Sequence, residues 1–219
     1  MMGSNRVTPK RALQFSALGT LGALVALGIF SAVVSRAEVG TTPPPAIGTP
    51  ANLSGSPVEP SLVLPHTDLQ DTSGKIFALH PGEKPLLLLY FGYSRCLDTC
   101  PKTLATIAKA RDLLAPAERE RIQVVVVSTD PEYDTPAVMH DWLANFDPTF
   151  IGLTGYRVII EELMADLRLP ATSDSSNVLV FEPDGVAHRS YAPGTSANAY
   201  AHDLAAFLAT IPESPTASP

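Results

Sequence analysis

The chain has 219 residues, 45% of them apolar, and a formal net charge of −7. That length can bury one full hydrophobic core, but it does not by itself decide between one domain and two. Because the net charge is negative and the Lys and Arg residues are scattered, the chain lacks a basic surface for phosphates, which argues against nucleic-acid binding.

The N-terminal segment has the pattern of a membrane-crossing helix. Residues 12–34 are predominantly apolar and carry no charged side chain, and the stretch is long enough to span a bilayer. Three basic residues precede it and only Arg36 follows closely, so the rule that basic flanks stay inside places the remaining chain outside the cytoplasm. We expect residues 1–11 to be a short cytoplasmic N-terminus and residues 12–34 a single-pass anchor in the cytoplasmic membrane.

A cleaved signal peptide is the alternative for the same segment, because Ser35 and Ala37 offer small residues at a suitable spacing. Residues 35–60 are rich in Pro, Gly, Ser and Thr and predict a disordered linker. The tail at residues 212–219 has the same composition and predicts disorder as well. One domain remains, residues 61–211, which we expect on the periplasmic or extracellular face.

Within residues 61–211, short strand-like runs alternate with longer helical ones. The apolar run of residues 86–93 predicts a strand buried on both faces, and residues 122–130 predict a second one. The turn EPDG predicts a hairpin of strands 177–181 and 186–191. This order is typical of an α/β, thioredoxin-like fold with a mixed central β-sheet flanked by helices. Helices are predicted over residues 99–114, from Pro136 onward after the capping residue Thr135, and over residues 156–167 and 197–210.

The chain contains two cysteines, Cys96 and Cys100, which lie between the first predicted strand and the first predicted helix. A helix N-terminus carries a partial positive charge that stabilises a thiolate, so this position predicts reactive thiols or metal ligands. In a regular helix, cysteines four residues apart have Cβ atoms about 5–6 Å apart. A disulfide between them therefore requires a local irregularity. A pair of thiolates also suits the soft ion Cu(I).

A static disulfide is the structural alternative, since such bonds are common in exported proteins. A disulfide between Cys96 and Cys100 closes only a short loop, however, and removes little entropy from the unfolded chain, which favours a redox pair. A peroxidase is excluded, because a peroxiredoxin requires threonine three residues and proline seven residues before its reactive cysteine. Neither stands at those positions before Cys96.

Five segments carry a family resemblance across the domain. In chain order they are LPHTDLQDTSGKIF, LLLLYFGYSRCLDTCPKTL, VVVVSTDPEYDTP, FIGLTG and VLVFEPDG. Together they resemble the Sco/SenC family, membrane-anchored proteins of thioredoxin-like fold associated with copper delivery to cytochrome c oxidase. The resemblance implies that Cys96 and Cys100 bind copper together with a histidine ahead of the hairpin. It also implies a protein partner with a copper site or cysteine pair, expected to be an oxidase subunit.

The expected third copper ligand is replaced in this sequence. Counted back from Gly185, the family's histidine position is occupied by Asp174, and no histidine occurs between His140 and His188. Asp174 is therefore the candidate third ligand. A carboxylate suits Cu(I) poorly and tolerates Cu(II) better, so the bound copper could be either ion.

Four charged residues are candidates for a supporting role. Asp98 lies between the cysteines, where it can tune their charge or favour the helix start through the helix dipole. Arg95 precedes Cys96 and can either stabilise its thiolate or be a solvated charge. Asp130 and Asp134 belong to the DPEYDTP segment after the second strand.

Two functional hypotheses follow. The first is a Sco/SenC-like membrane-anchored protein that acts in copper delivery or cysteine redox maintenance during cytochrome c oxidase assembly. The second is a metal-independent thiol–disulfide oxidoreductase in which one of Cys96 and Cys100 attacks a partner disulfide and the other resolves the mixed disulfide. The replacement of the histidine by Asp174 favours the second hypothesis.

Overall fold

A computed structural model describes residues 52–80, 84–170 and 177–212. The segment 12–34, predicted as a membrane anchor, and the candidate ligand Asp174 lie outside these residues, as does nearly all of the predicted tail. Across the described ranges, no helix combines the length and the hydrophobicity that a membrane crossing requires.

The described residues form a mixed α/β domain around one sheet. The strand order is β1-β8-β7-β4-β5-β6-β2-β3. The pairs β4–β5 and β5–β6 are parallel and the other pairs are antiparallel, which confirms the predicted mixed sheet. The elements are β1 (Ser56–Val63), β2 (Thr67–Asp71), β3 (Ile76–Leu79), β4 (Leu86–Gly92), α1 (Thr99–Asp112), α2 (Pro116–Glu120), β5 (Ile122–Ser128), α3 (Pro136–Leu143), β6 (Ile151–Thr154), α4 (Arg157–Asp166), β7 (Val178–Phe181), β8 (Val186–Tyr191) and α5 (Ala197–Thr210).

The central strand β4 is buried along its whole length, as its apolar run predicts. Because successive side chains point to opposite faces of a strand, Leu88 and Tyr90 pack on the face that also holds residues of α1, α3 and α5. Leu89 and Phe91 pack on the other face, against residues of α4. This alternation places Tyr90 in the same apolar cluster as Cys100.

The parallel strands β4, β5 and β6 end at one edge of the sheet, so the loops that follow them are neighbours. Gly92 at the end of β4 pairs in register with Ser128 at the end of β5. One residue further on, the Thr129 N–H donates to the Gly92 carbonyl at 2.9 Å. The cysteine loop after β4 therefore lies beside the DPEYDTP segment after β5.

The start of the domain differs from the prediction. Residues 35–60 were predicted to be a linker, whereas β1 begins at Ser56 and pairs with β8. Pro57 and Pro60 lie inside this strand. Proline is tolerated there because β1 is an edge strand, whose outward N–H groups need no partner. Prolines that are typical of a linker are thus compatible with strand pairing at the edge of this sheet.

Several other elements also differ from the predicted order. The prediction lacks β2, β3, β6 and α2, and the second strand ends at Ser128 rather than at residue 130. The first helix ends at Asp112 rather than at residue 114, and Pro116 opens the short helix α2, because proline fits the first turn of a helix. The predicted start of α3 is confirmed, since the Val138 N–H donates to the Thr135 hydroxyl at 3.3 Å and Pro136 is the first helical residue.

Candidate functional site

The two cysteines flank the start of α1 and do not share a regular helix. Cys96 lies in the turn between β4 and α1, whereas Cys100 is the second residue of α1. The Cβ separation that a regular helix imposes on residues four apart therefore does not apply to these two cysteines. The Cys100 N–H, which is free of intrahelical bonds in the first turn, donates to Cys96 Sγ at 3.3 Å. Both thiols are free, and the Cys96 sulfur serves as an acceptor at the helix N-terminus.

The thiol of Cys96 is half-buried and has a lowered pKa. Burial is the largest single influence on the Cys96 pKa and raises it, but hydrogen bonds from the Cys100 side chain and from backbone groups of Cys100, Asp98 and Thr99 together lower it below its ordinary value. Negative charge at this sulfur is also favoured by the partial positive charge of the helix N-terminus. Of the two thiols, Cys96 is therefore the one whose pKa is lowered and the more exposed.

The thiol of Cys100 favours its neutral form. Its side chain is 3% exposed, and burial, followed by the adjacent Cys96 sulfur, raises the Cys100 pKa to about 11. The two pKa values are pushed in opposite directions, which is the arrangement that assigns distinct roles to two neighbouring groups. The two thiols thus differ both in burial and in how readily they ionise.

The pKa difference leads to a prediction for alkylation by iodoacetamide. Because the thiolate is the reacting species, we expect the Cys96 rate to reach half its maximum below pH 9, the ordinary thiol pKa, and the Cys100 rate to rise only above it. Site-resolved mass spectrometry across pH 6–11 measures both rates. As a control, Cys100→Ser isolates Cys96. A half-maximum for Cys96 above pH 9 would contradict a lowered pKa of the Cys96 thiol.

Asp134 holds the loop that carries Cys96. Its buried carboxylate accepts hydrogen bonds from the Ser94 N–H at 3.1 Å, from the Ser94 hydroxyl, and from the Ser128 hydroxyl at 2.6 Å. Ser94 belongs to the cysteine loop and Ser128 ends β5, so one carboxylate joins the two neighbouring loops. Asp134 acts through these contacts and does not itself touch either sulfur.

Arg95 and Asp130 make a second, more exposed connection between the same loops. The Arg95 Nε donates to Asp130 Oδ2 at 3.0 Å, and the guanidinium lies 4.5 Å from the centre of the Tyr133 ring. The positive charge of Arg95 thus has a carboxylate partner and an aromatic face close by. The largest contributions that lower the Cys96 pKa come instead from Cys100 and from backbone groups of Asp98 and Thr99.

Asp98 is at the helix start but does not cap it with its side chain. It is the residue before α1, yet its carboxylate forms no capping hydrogen bond and instead pairs with Lys102 on the exposed surface. Of the sequence-predicted residues, the structure brings Cys96, Cys100, Arg95, Asp98, Asp130 and Asp134 to one end of the sheet, while Asp174 is outside the described residues.

Three residues near the cysteines were not predicted from the sequence: Tyr90, Ser94 and Ser128. The Tyr90 side chain is 1% exposed and lies in the same apolar cluster as Cys100. A signal was available for Tyr90, a hydroxyl-bearing residue inside an otherwise apolar run, and for Ser128, which ends a run of four valines. The pairing of Ser94 with Asp134 leaves no such local signal.

The donor set present suits a soft metal only in part. Within residues 52–80, 84–170 and 177–212, no group of three or more His, Cys, Asp or Glu side chains could hold a metal ion. The two sulfurs are donors that Cu(I) prefers, and their proximity fits a shared ion.

Known proteins resemble this chain in sequence and in fold. A Stutzerimonas stutzeri protein named for copper binding is 30% identical over 133 residues, which cover 56% of this chain and 65% of that protein. Bradyrhizobium japonicum ScoI with copper bound has a TM-score of 0.54 and 26% identity, covering 66% of this chain and 99% of the other. Apo Sco1 from Thermus thermophilus has a TM-score of 0.60 and 26% identity, with coverage of 73% and 97%.

The matches to the curated relatives cover only part of the length of those proteins. The chain covers less than two thirds of the length of the curated relatives it matches, so the resemblance concerns the domain that holds the cysteines. The sequence model of the SCO1/SenC family matches residues 59–209, which include every described strand and helix from β2 onward except the last residue of α5. The chain therefore belongs to the SCO1/SenC family.

Proposed function

We propose that this protein acts in the assembly of cytochrome c oxidase, where it delivers copper or maintains the redox state of cysteines in a partner. Its family membership and the copper-bound Bradyrhizobium relative support a role in copper handling. The observation that carries the proposal is the free pair itself, with the half-buried Cys96 sulfur 3.3 Å from the Cys100 nitrogen at a helix start.

In this function copper is the cargo of the site and not a resident cofactor. Cys96 and Cys100 would hold Cu(I) through their sulfurs, and Asp174 at the family's histidine position would complete the set. Because a carboxylate is a hard ligand, the affinity for Cu(I) is expected to be weaker than with histidine, and Cu(II) to be tolerated better. Weak retention suits a protein that must release its cargo to a partner.

A second function, thiol–disulfide exchange without metal, is favoured by the opposite pKa shifts of the two thiols. The Cys96 thiolate attacks a partner disulfide, which forms a mixed disulfide and releases one partner thiolate. Cys100 then loses its proton to solvent and attacks Cys96 Sγ, which releases the second partner thiolate. The pair ends as a disulfide, and the partner gains the two electrons.

The partner and location follow from the same proposal. A partner must present either an empty copper site or a cysteine pair to Cys96, and an oxidase subunit exposed outside the cytoplasm meets that requirement. The apolar segment 12–34, with its preceding basic residues, supports a single-pass anchor that keeps the domain on that side of the membrane.

The third ligand is tested by the variant Asp174→His. We expect it to bind Cu(I) about tenfold more tightly than the wild type, because imidazole is a softer donor than carboxylate. Competition against a colorimetric Cu(I) chelator, with the purified full chain, measures the affinity. Asp166→His, at the exposed end of α4, is the matched control and should leave the affinity unchanged.

Two outcomes separate the functions. Equal affinities of the wild type and Asp174→His would show that residue 174 does not contact the metal. If neither chain binds Cu(I) while the cysteines oxidise and reduce reversibly, copper delivery is contradicted and the oxidoreductase function remains.

A further inference from the structure

A groove of about 450 Å³ opens at the edge of the sheet that carries the cysteine loop. It lies at the carboxyl end of β6, which is parallel to β5 and therefore ends at the same edge as β4 and β5. The β2–β3 hairpin and the DPEYDTP segment also line it. Its apolar lining residues are Leu69, Ile76, Pro131, Pro136, Tyr156 and Ile159.

This groove continues the surface that surrounds Cys96. Pro131 of the DPEYDTP segment lines the groove, and the residue before it, Asp130, is the ion-pair partner of Arg95 in the cysteine loop. A protein that brings its own reacting group to Cys96 therefore has the groove beside it, along the same edge of the sheet.

Two large apolar side chains of the groove are open to solvent. Tyr156 is 82% exposed and Ile76 is 72% exposed. Single exposed apolar residues are common on protein surfaces, but two that line one groove offer apolar area that a partner can remove from water. The groove is thus suited to an apolar side chain of a bound partner.

The backbone of β2 is open toward the groove at Asp68. In the described part of the chain, β6 pairs with Gln70 and Asp71 of β2 and with no residue before them, so Asp68 lies beyond the end of that ladder. At the turn of the hairpin, the Asp71 N–H donates to the Lys75 carbonyl at 2.8 Å. Because alternate residues of an antiparallel strand bond to the same neighbour, Leu69 also bonds to β3, and Asp68 directs its N–H and C=O away from β3. Both groups therefore face the position of an added strand.

The charge of the groove favours a cation. Asp68 is the one charged residue among those that line it, and its exposed carboxylate forms no ion pair with any residue that the structure describes. A carboxylate and the face of an aromatic ring both attract a positive charge, so Asp68 and Tyr156 together suit a Lys or Arg side chain. The net charge of −7 argues against a second copy of this acidic chain as the occupant.

We propose that this groove holds an extended basic segment of the partner protein, which adds to β2 as a short strand and places a Lys or Arg beside Asp68. Apolar side chains of the segment would cover the exposed Ile76 and Tyr156. That the same partner exchanges copper or electrons with Cys96 rests on the proposed function, whereas the preference of the groove for a basic segment rests on the groove alone.

The probe is a pentapeptide of sequence Val-Thr-Lys-Leu-Val, acetylated and amidated, and the comparison peptide carries Glu in place of Lys. Because side chains alternate along a strand, the probe offers an apolar residue on each face beside the lysine. Fluorescence anisotropy of the labelled peptides with the purified full chain measures both affinities. We expect the wild type to bind the Lys peptide about fivefold more tightly than the Glu peptide, the size of effect that an exposed ion pair produces.

Two substitutions of exposed side chains separate a contact with Asp68 from a general charge effect. Asp68→Lys should reverse the preference, so that the Glu peptide binds about fivefold more tightly than the Lys peptide. Glu120→Lys changes the net charge by the same amount at the opposite edge of the sheet, just before β5 begins, and should keep the wild-type preference. A third variant, Tyr156→Ala, should weaken binding of the Lys peptide about tenfold, because it removes the exposed ring.

The preferences of Asp68→Lys and Glu120→Lys decide whether Asp68 contacts the segment. If both variants prefer the same peptide, only the net charge acts, and the inference is overturned. A dimer of the full chain that Tyr156→Ala dissociates, seen by size-exclusion chromatography, would assign the groove to a second copy and overturn it as well. Cu(I) competition and oxidation by glutathione disulfide test the proposed function separately. If the wild type shows neither, that function fails, while a preference that reverses in Asp68→Lys still supports the groove as the site of a basic segment.

Discussion

Cys96→Ser is expected to abolish both thiol–disulfide exchange and Cu(I) binding. The substitution removes the thiol whose pKa is lowered and which is half-buried, and it leaves Cys100 buried and neutral with no partner sulfur. A serine hydroxyl is neither ionised at neutral pH nor a soft ligand. Cu(I) competition and oxidation by a glutathione redox buffer, each on the full chain, should show no residual signal.

Cys100→Ser is expected to block thiol–disulfide exchange at a later step than Cys96→Ser does. Cys96 can still attack an external disulfide, but no second thiol resolves the product, so a mixed disulfide with glutathione should accumulate and be detected by intact mass. Thr106→Ser, further along α1, is a matched control that keeps a hydroxyl able to bond to the Lys102 carbonyl. Tight Cu(I) binding by Cys96→Ser, or release of glutathione by Cys100→Ser, would contradict the assigned roles.

The fold could be predicted wherever local pattern and burial agree. Residues 86–93 read as a strand because every position is apolar or aromatic, and β4 is indeed buried throughout. The start of α3 could be predicted because Thr135 and Pro136 satisfy the helix N-terminus by themselves. β1 could not, since its pairing with β8 comes from residues far along the chain and overrides a proline-rich composition.

The position of the site in the fold could be predicted, but the hydrogen bonds between its side chains could not. Parallel strands end at one edge, so the cysteine loop and the DPEYDTP segment are expected to be neighbours. Which side chains meet there depends on register, because Ser94 reaches Asp134 only when Gly92 and Ser128 are paired. The apolar run likewise concealed that Tyr90 faces the cluster containing Cys100.

The two links between these loops differ in strength because they differ in burial. The Arg95 side chain is 57% exposed, and solvent screens an ion pair at such a site, so the pair adds little to the free energy of unfolding. The Asp134 carboxylate is fully buried and accepts from two hydroxyls and one backbone N–H. The position of Cys96 is therefore expected to depend on Asp134 far more than on Asp130.

Asp134→Ala is accordingly expected to lower the free energy of unfolding by about 3 kcal/mol, because it leaves the buried Ser128 hydroxyl and the half-buried Ser94 donors without their acceptor. Asp130→Asn, which breaks the exposed ion pair, is the matched control and should cost much less. Urea unfolding followed by circular dichroism measures both values. The freed cysteine loop should also lose the hydrogen bond between the Cys100 N–H and Cys96 Sγ, which moves the half-maximum of Cys96 alkylation to higher pH. Equal destabilisation by the two substitutions would show that the buried Asp134 carboxylate stabilises the cysteine loop no more than the exposed ion pair does, which contradicts the expected difference.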